Sequence, residues 1–214
     1  MNEQLNSLKE AVRQQVQTIV AGGKEVSKRV AEVVAGAAEQ FQRSGAGLVE
    51  LTQAVMDGAA AAVEASLPQK PESVLRQVID GLGEGINRAA VTARFTLEEA
   101  RSRQVTFAAE DLAQVRQDLQ ALNSLYLETV SRGLGQVRAY AAGERERLQE
   151  HAAAAWEKTR PAFQSALSAA AQHPVELGKE TLKTGVDATR QAAGALFAAM
   201  GHWLDETGRR LKGP

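Results

Sequence analysis

The sequence predicts an all-α protein: long amphipathic helices with an eleven-residue repeat, forming an elongated antiparallel bundle or rod. Three observations predict it. Strand signals are nearly absent, since no run combines β-branched residues, two-residue alternation and hairpin turn chemistry. Alanine, the strongest helix former, fills 39 of the 214 positions. Large apolar residues recur at a spacing of eleven.

Residues 1–67 form the first segment, with helix expected over 3–66. One lane of positions eleven apart reads Leu8, Ile19, Val30, Phe41, Thr52, Val63. Its neighbour reads Val12, Gly23, Val34, Gly45, Met56, Leu67. The stretch Ser66 to Ser73, with Pro68 and Pro71, marks the clearest boundary. Pro71 suits a first helical turn, and Glu72 suits the positive end of a helix dipole.

Residues 72–159 form the central segment, a long helix or a helical hairpin. One lane is Leu75, Ile86, Leu97, Ala108, Leu119, Val130, Ala141, Ala152, Phe163. Another is Leu82, Ala93, Gln104, Val115, Tyr126, Val137, Leu148. A single helix of this length would run about 130 Å. Glycine clusters offer places to fold it: Gly81 to Gly85, Gly133-Leu134-Gly135 and Gly143, with Gly22-Gly23 and Gly45-Ala46-Gly47 in the first segment. The alternative role of these glycines is close helix packing.

Residues 161–214 form the last segment. Thr159-Arg160-Pro161 reads as a break or kink, because proline disfavours helix in the residue before it. Helix is expected over 161–172, a second break at His173-Pro174, and helix again over 175–211.

Eleven residues in three turns is about 3.67 per turn, close to the free helix, so the stripe runs nearly straight along it. A straight stripe suits a weakly twisted bundle, in which it faces other helices. It also suits a helix lying flat on an extended apolar surface.

Composition excludes several functions. The formal charge is −1 and the pI about 6.3, with no clustered cations to draw nucleic acid. There is no cysteine, hence no disulfide frame, thiolate metal site or thiol catalysis. No signal peptide is evident at the N-terminus. No segment has the roughly 18 apolar residues of a membrane span. A soluble cytoplasmic protein is the expectation.

Catalytic motifs fail on inspection. Gly81-Leu82-Gly83-Glu84-Gly85 misses the dinucleotide fingerprint because Ile86 follows and no strand precedes. His151, His173 and His202 lack a glutamate three residues earlier, so the di-iron bundle signature is missing. Glu98-Glu99 and Glu110-Asp111 are neighbours on a helix and point to different faces. Arg138, Arg145 and Arg147 lie among Glu144, Glu146 and Glu150, which reads as a paired surface. Trp156 and Trp203 suit either an interfacial anchor or a bundle core. No cofactor, no metal site and no enzyme activity are expected.

The stretch Thr106-Phe107-Ala108-Ala109-Glu110-Asp111-Leu112, continuing through Leu119, Leu122, Leu125-Tyr126-Leu127 and Gly133, resembles phasin-like bacterial helical proteins. It also resembles a related uncharacterised proteobacterial helical family with similar Ala-rich ends. The resemblance is strongest over roughly 95–142 and extends as a pattern over most of the chain. It implies an all-helical, often oligomeric protein without catalytic residues that coats polyhydroxyalkanoate granules. The basic Lys/Ala/Pro tail that ties some granule proteins to DNA has no counterpart here.

Two functions remain. In the first, the protein associates with a hydrophobic granule or lipid surface through the stripe Val115, Leu119, Leu122, Tyr126, Val130 and Val137. In the second, it is a soluble homo-oligomeric helical bundle that scaffolds or binds a protein partner, and the same residues form its core.

Overall fold

The computed structural model describes residues 2–173 apart from 44–46, 67, 69, 105–106, 108 and 139–141. The helix expected over 175–211, with Trp203 and His202, lies outside the described residues. Six helices follow one another: α1 (Asn2–Gly22), α2 (Val26–Arg43), α3 (Leu48–Ser66), α4 (Pro71–Ser102), α5 (Ala109–Leu134) and α6 (Ala142–Gln172). None of them is long and apolar enough to cross a membrane. The all-α class is therefore as expected, and no β-strand forms among the described residues.

The helix ends follow local chemistry. Gly23 ends α1 at φ +63°, a left-handed conformation that glycine adopts without strain. Its N–H donates to the carbonyls of Ile19 and Val20. At the start of α3 the Glu50 carboxylate accepts the Gly47 N–H at 3.1 Å, covering one donor that the helix leaves open. Pro71 and Glu72 open α4 as the sequence predicts. The helix ends at Ser102, with Gln104 at φ 56°.

Pro161 departs from expectation. It lies inside α6, which continues through it to Gln172. Proline costs a helix interior about 3 kcal/mol. Packing on both sides of it offsets that cost. Thr159 is buried and its hydroxyl donates to the carbonyls of Ala155 and Gly83, while Phe163 and Ala166 are fully buried just beyond.

The helices form two layers. One holds α1, α3 and α5, the other α2, α4 and α6. Each helix from α3 onward packs against the helix two before it. Contacts fix the directions. Along α4 and α6, Glu72 meets Arg147, Asp80 meets His151, and Gly83 meets Thr159. Both numbers rise together, so the two helices are parallel. Gly81 against Ser27 and Gly85 against Val34 make α2 and α4 parallel as well. Gly47 near Asp118 and Asp57 bonded to Gln136 do the same for α3 and α5. Tyr126 on Trp156 and Ser131 on Gln149 make α5 and α6 antiparallel. The chain thus stacks successive helical hairpins, and neighbours within a layer run parallel where an antiparallel bundle or rod was expected.

Residues 3–66 are three helices, and 72–159 contains α4, α5 and the first part of α6. One core cluster draws on all six helices, and a small one of Leu97, Leu112 and Ala170 closes one end. The lane residues do point inward: Ile19, Val30, Phe41, Thr52, Val63, Leu75, Ile86, Leu119, Val130, Ala152 and Phe163 are buried. Gly23 and Gln104, in the neighbouring lanes, sit exposed at chain reversals. The lanes therefore cross turns and form no single straight stripe.

Gly58, Gly81, Gly85 and Gly133 lie where backbones approach most closely. A Cβ at Gly58 would stand 2.6 Å from the Arg13 carbonyl oxygen, and one at Gly133 would stand 2.5 Å from Met56 Cβ. Gly81 to Gly85 is therefore a packing surface on an unbroken helix, and the chain folds elsewhere.

Candidate functional site

The six stripe residues all lie on α5 or just after it. Leu122, Tyr126 and Val130 are fully buried, Val137 and Leu119 nearly so, and Val115 retains 7% exposure. At about 100° per residue, steps of three and four keep these side chains on one face. That face meets α3 and α6. The Tyr126 ring stacks on Trp156 with centroids 4.6 Å apart, and Trp156 meets Phe163 edge-on at 5.1 Å. Trp156 is thus a core residue. As a contact surface for an external partner, the stripe is covered in this fold.

The Tyr126 hydroxyl is buried without a hydrogen-bond partner. Burial, and to a lesser extent the Asp80 charge, push its ionisation well above the ordinary phenol range. It stays a neutral phenol.

A polar ladder joins α4 to α6 where both helices begin. Glu72 Oε1 accepts from Arg76 at 2.9 Å and its Oε2 from Arg147 at 2.8 Å. Those guanidinium bonds hold the Glu72 carboxyl down to about 2. One turn on, His151 Nε2 lies 2.8 Å from Asp80, and its Nδ1 lies 3.4 Å from Arg76 Nη1. Arginine can only donate, so Nδ1 accepts and Nε2 carries the proton toward Asp80. The sequence placed Arg147 among its glutamate neighbours on α6. Its partner instead comes from 75 residues away, a pairing that no local spacing encodes.

Asp118 is the buried carboxyl that sequence reading missed. It is 8% exposed, sits above Gly47 at the start of α3, and accepts from Gln114 at 2.9 Å. Burial raises it from 3.8 to about 6, with the Glu50 charge adding to the rise. Below pH 4 the carboxyl is neutral folded and unfolded, and no penalty applies. Above pH 6 it is charged in both states, and the folded state carries the cost of burying it. Stability should therefore fall between pH 4 and pH 6, by about 1–2 kcal/mol from this group after solvent screening. Urea melts at stepped pH should show that slope, and Asp118→Asn should remove it.

Among the described residues no group of three or more His, Asp or Glu is placed to hold a metal. His173 is buried against Phe107, with ring centroids 4.8 Å apart. Among the described residues, Phe95, Leu125 and Leu127 are large apolar side chains that stand exposed, each near 40%.

Residues 2–202 match a family of unknown function, DUF6781. The chain belongs to this family. The match begins in α1 and runs past the end of α6, so the stacked hairpins lie within the family's shared unit. No curated protein and no solved structure matches the chain.

Proposed function

We propose that this family member is a non-enzymatic helical scaffold whose apolar stripe serves its own fold and whose outer faces meet a protein partner or further copies of itself. The observation that carries this reading is the burial of Val115, Leu119, Leu122, Tyr126, Val130 and Val137. A surface-coating protein needs its stripe accessible. Here the stripe is enclosed by α3 and α6, and glycine contacts seat the hairpins closely on one another.

A second reading keeps the phasin-like association with a granule or lipid surface. Alanine favours it. Ala54, Ala59, Ala60, Ala90, Ala152 and Ala166 are among many buried alanines, and each contributes little apolar area. An alanine-diluted core is cheaper to open than one of leucine. In this reading the hairpins separate, and α5 lays its stripe on the surface.

Flotation with polyhydroxybutyrate particles, neutral-lipid emulsion and anionic liposomes tests both. The scaffold reading expects no capture by any of them, with a defined subunit number in sedimentation. Strong capture by the polyester alone would replace it with the coating reading.

A further inference from the structure

We propose that the outer side of the α1–α2 hairpin is a docking surface for a second copy of this chain, seated across a two-fold axis. This rests on the scaffold reading and names its partner. Both layers of the stack share one packing habit. A helical glycine faces the neighbour at each of the four contacts within the layers: Gly58 of α3 on α1, Gly81 and Gly85 of α4 on α2, Gly133 of α5 on α3, and Gly83 of α4 on α6. A missing Cβ lets two backbones approach.

Gly36 has the same character without a neighbour. It lies within α2, exposed, with nothing within 4 Å of a Cβ built on it. The α2 residues that meet Gly81 and Gly85 are Ser27, Val30, Ala31 and Val34. At about 100° per residue, Gly36 lies roughly 120–180° around the helix from all four. It therefore points to the side of α2 opposite α4, where a further helix of the layer would sit. There it lines an open groove of about 890 Å³ between α1 and α2, with half-buried Leu8 and Val33 on the floor and exposed Gln15 and Gln40 on the rim.

Charge selects the occupant. Arg29 and Glu32 line the same groove, on the side of α2 that carries Gly36 and within about 60° of one another. Neither forms an ion pair among the described residues, whereas the nearby Arg13 and Lys28 pair with Glu10 and Glu25. The two opposite charges cancel, and the other polar lining is amide and hydroxyl, groups that both donate and accept. Such a face has no net charge with which to draw an acidic or a basic partner, and it is complementary to itself. A two-fold axis crossing α2 sets the helix antiparallel to its copy. Arg29 of each chain then meets Glu32 of the other, so the pair forms twice. The two helices present a face about 27 Å by 20 Å, near 600 Å² per partner once side-chain relief is included, the small end of stable dimers.

Sedimentation equilibrium of the full chain tests this. From about 1 to 200 μM it should show monomer passing to dimer and no further. Glu32→Arg sets arginines against each other on both sides of the axis and should raise the dimer dissociation constant about tenfold or more. Arg29→Glu should do the same, and the two changes together should recover the natural constant. Gly36→Gln should also weaken the dimer while circular dichroism shows α2 still helical. Leu127→Gln, at the far end of the stack, should change nothing. A constant unmoved by Glu32→Arg, a double variant that stays weak, or loss of the dimer with Leu127→Gln would overturn the proposal. So would complexes that grow beyond two, which join unlike ends of the stack. A monomer at every concentration that no particle captures would overturn the dimer and leave the scaffold reading in place. Capture by polyester particles would overturn the scaffold reading itself, whatever the subunit number.

Discussion

Replacing Gly81 with alanine should destabilise the protein, while the same change at Gly36 should stabilise it. Both glycines are helical, one in α4 and one in α2. On propensity alone each substitution gains about 1 kcal/mol. The surroundings decide the sign. A Cβ at Gly81 would run into the Ser27 carbonyl oxygen and stand 2.9 Å from Val30 Cβ. Backbone cannot swing aside as a flexible side chain can, so α2 and α4 must separate. Overpacking of this kind costs about 1–3 kcal/mol, more where backbones collide. The net expected loss is about 2 kcal/mol, and adding Gly85→Ala, whose Cβ would stand 2.5 Å from Val34 Cβ, should deepen it. Nothing lies within 4 Å of a Cβ at Gly36, so the propensity gain stands there. Urea denaturation of the three variants reads both signs. A neutral Gly81→Ala would mean that α2 and α4 are not in contact as described.

Val130→Glu and Leu119→Glu should each unfold the protein cooperatively, with a loss of about 4 kcal/mol or more. Val130 is fully buried and Leu119 retains 2% exposure. A carboxylate at either place loses its water and finds an apolar cluster that includes Tyr126 and Trp156. The loss is read as helicity and subunit number falling together, by circular dichroism and sedimentation. Retention of helicity, melting midpoint and binding would show that these positions are not buried in solution.

Much of the fold was legible in the sequence because it rests on local chemistry. The helical class follows from alanine content, apolar periodicity and the absence of strand signals. Pro71 opens a helix and Gly23 closes one for reasons confined to a few residues. The inward-facing lanes were also readable, since apolar spacing near the helical period selects a face. The role of Pro161 was not. A proline rule weighs one lost hydrogen bond and a ring clash, and it cannot see Thr159 held by Gly83 or Phe163 sunk in the core. The extent of the first and central helices was also misread, because an eleven-residue count carries on unchanged through a turn.

The candidate site shows the same division. Val115, Leu119, Leu122, Tyr126, Val130 and Val137 were recognisable as one apolar face. Whether that face meets another part of the chain or an external surface is not a property of its spacing. Here α3 and α6 cover it, and α3 comes from two helices earlier in the chain. Glu72 was notable only as a first-turn acid; its bond to Arg147 exists because α4 and α6 run parallel. Asp118 carries no local signal in the sequence; Gly47 and Glu50, which lie against it, come from another helix.

Residue chemistry, acting over one or two helical turns, determined that this chain is helical, where several of its helices begin and end, and which faces are apolar. Tertiary packing decided the rest: the two layers, the parallel neighbours within each, and the burial of the stripe. The physical reason is reach. Propensity, capping and periodicity act within a few residues. Parallel packing of helices two apart depends on contacts such as Gly81 with Ser27 and Gly133 with Met56, which join positions more than fifty residues apart. Only a folded chain brings those together.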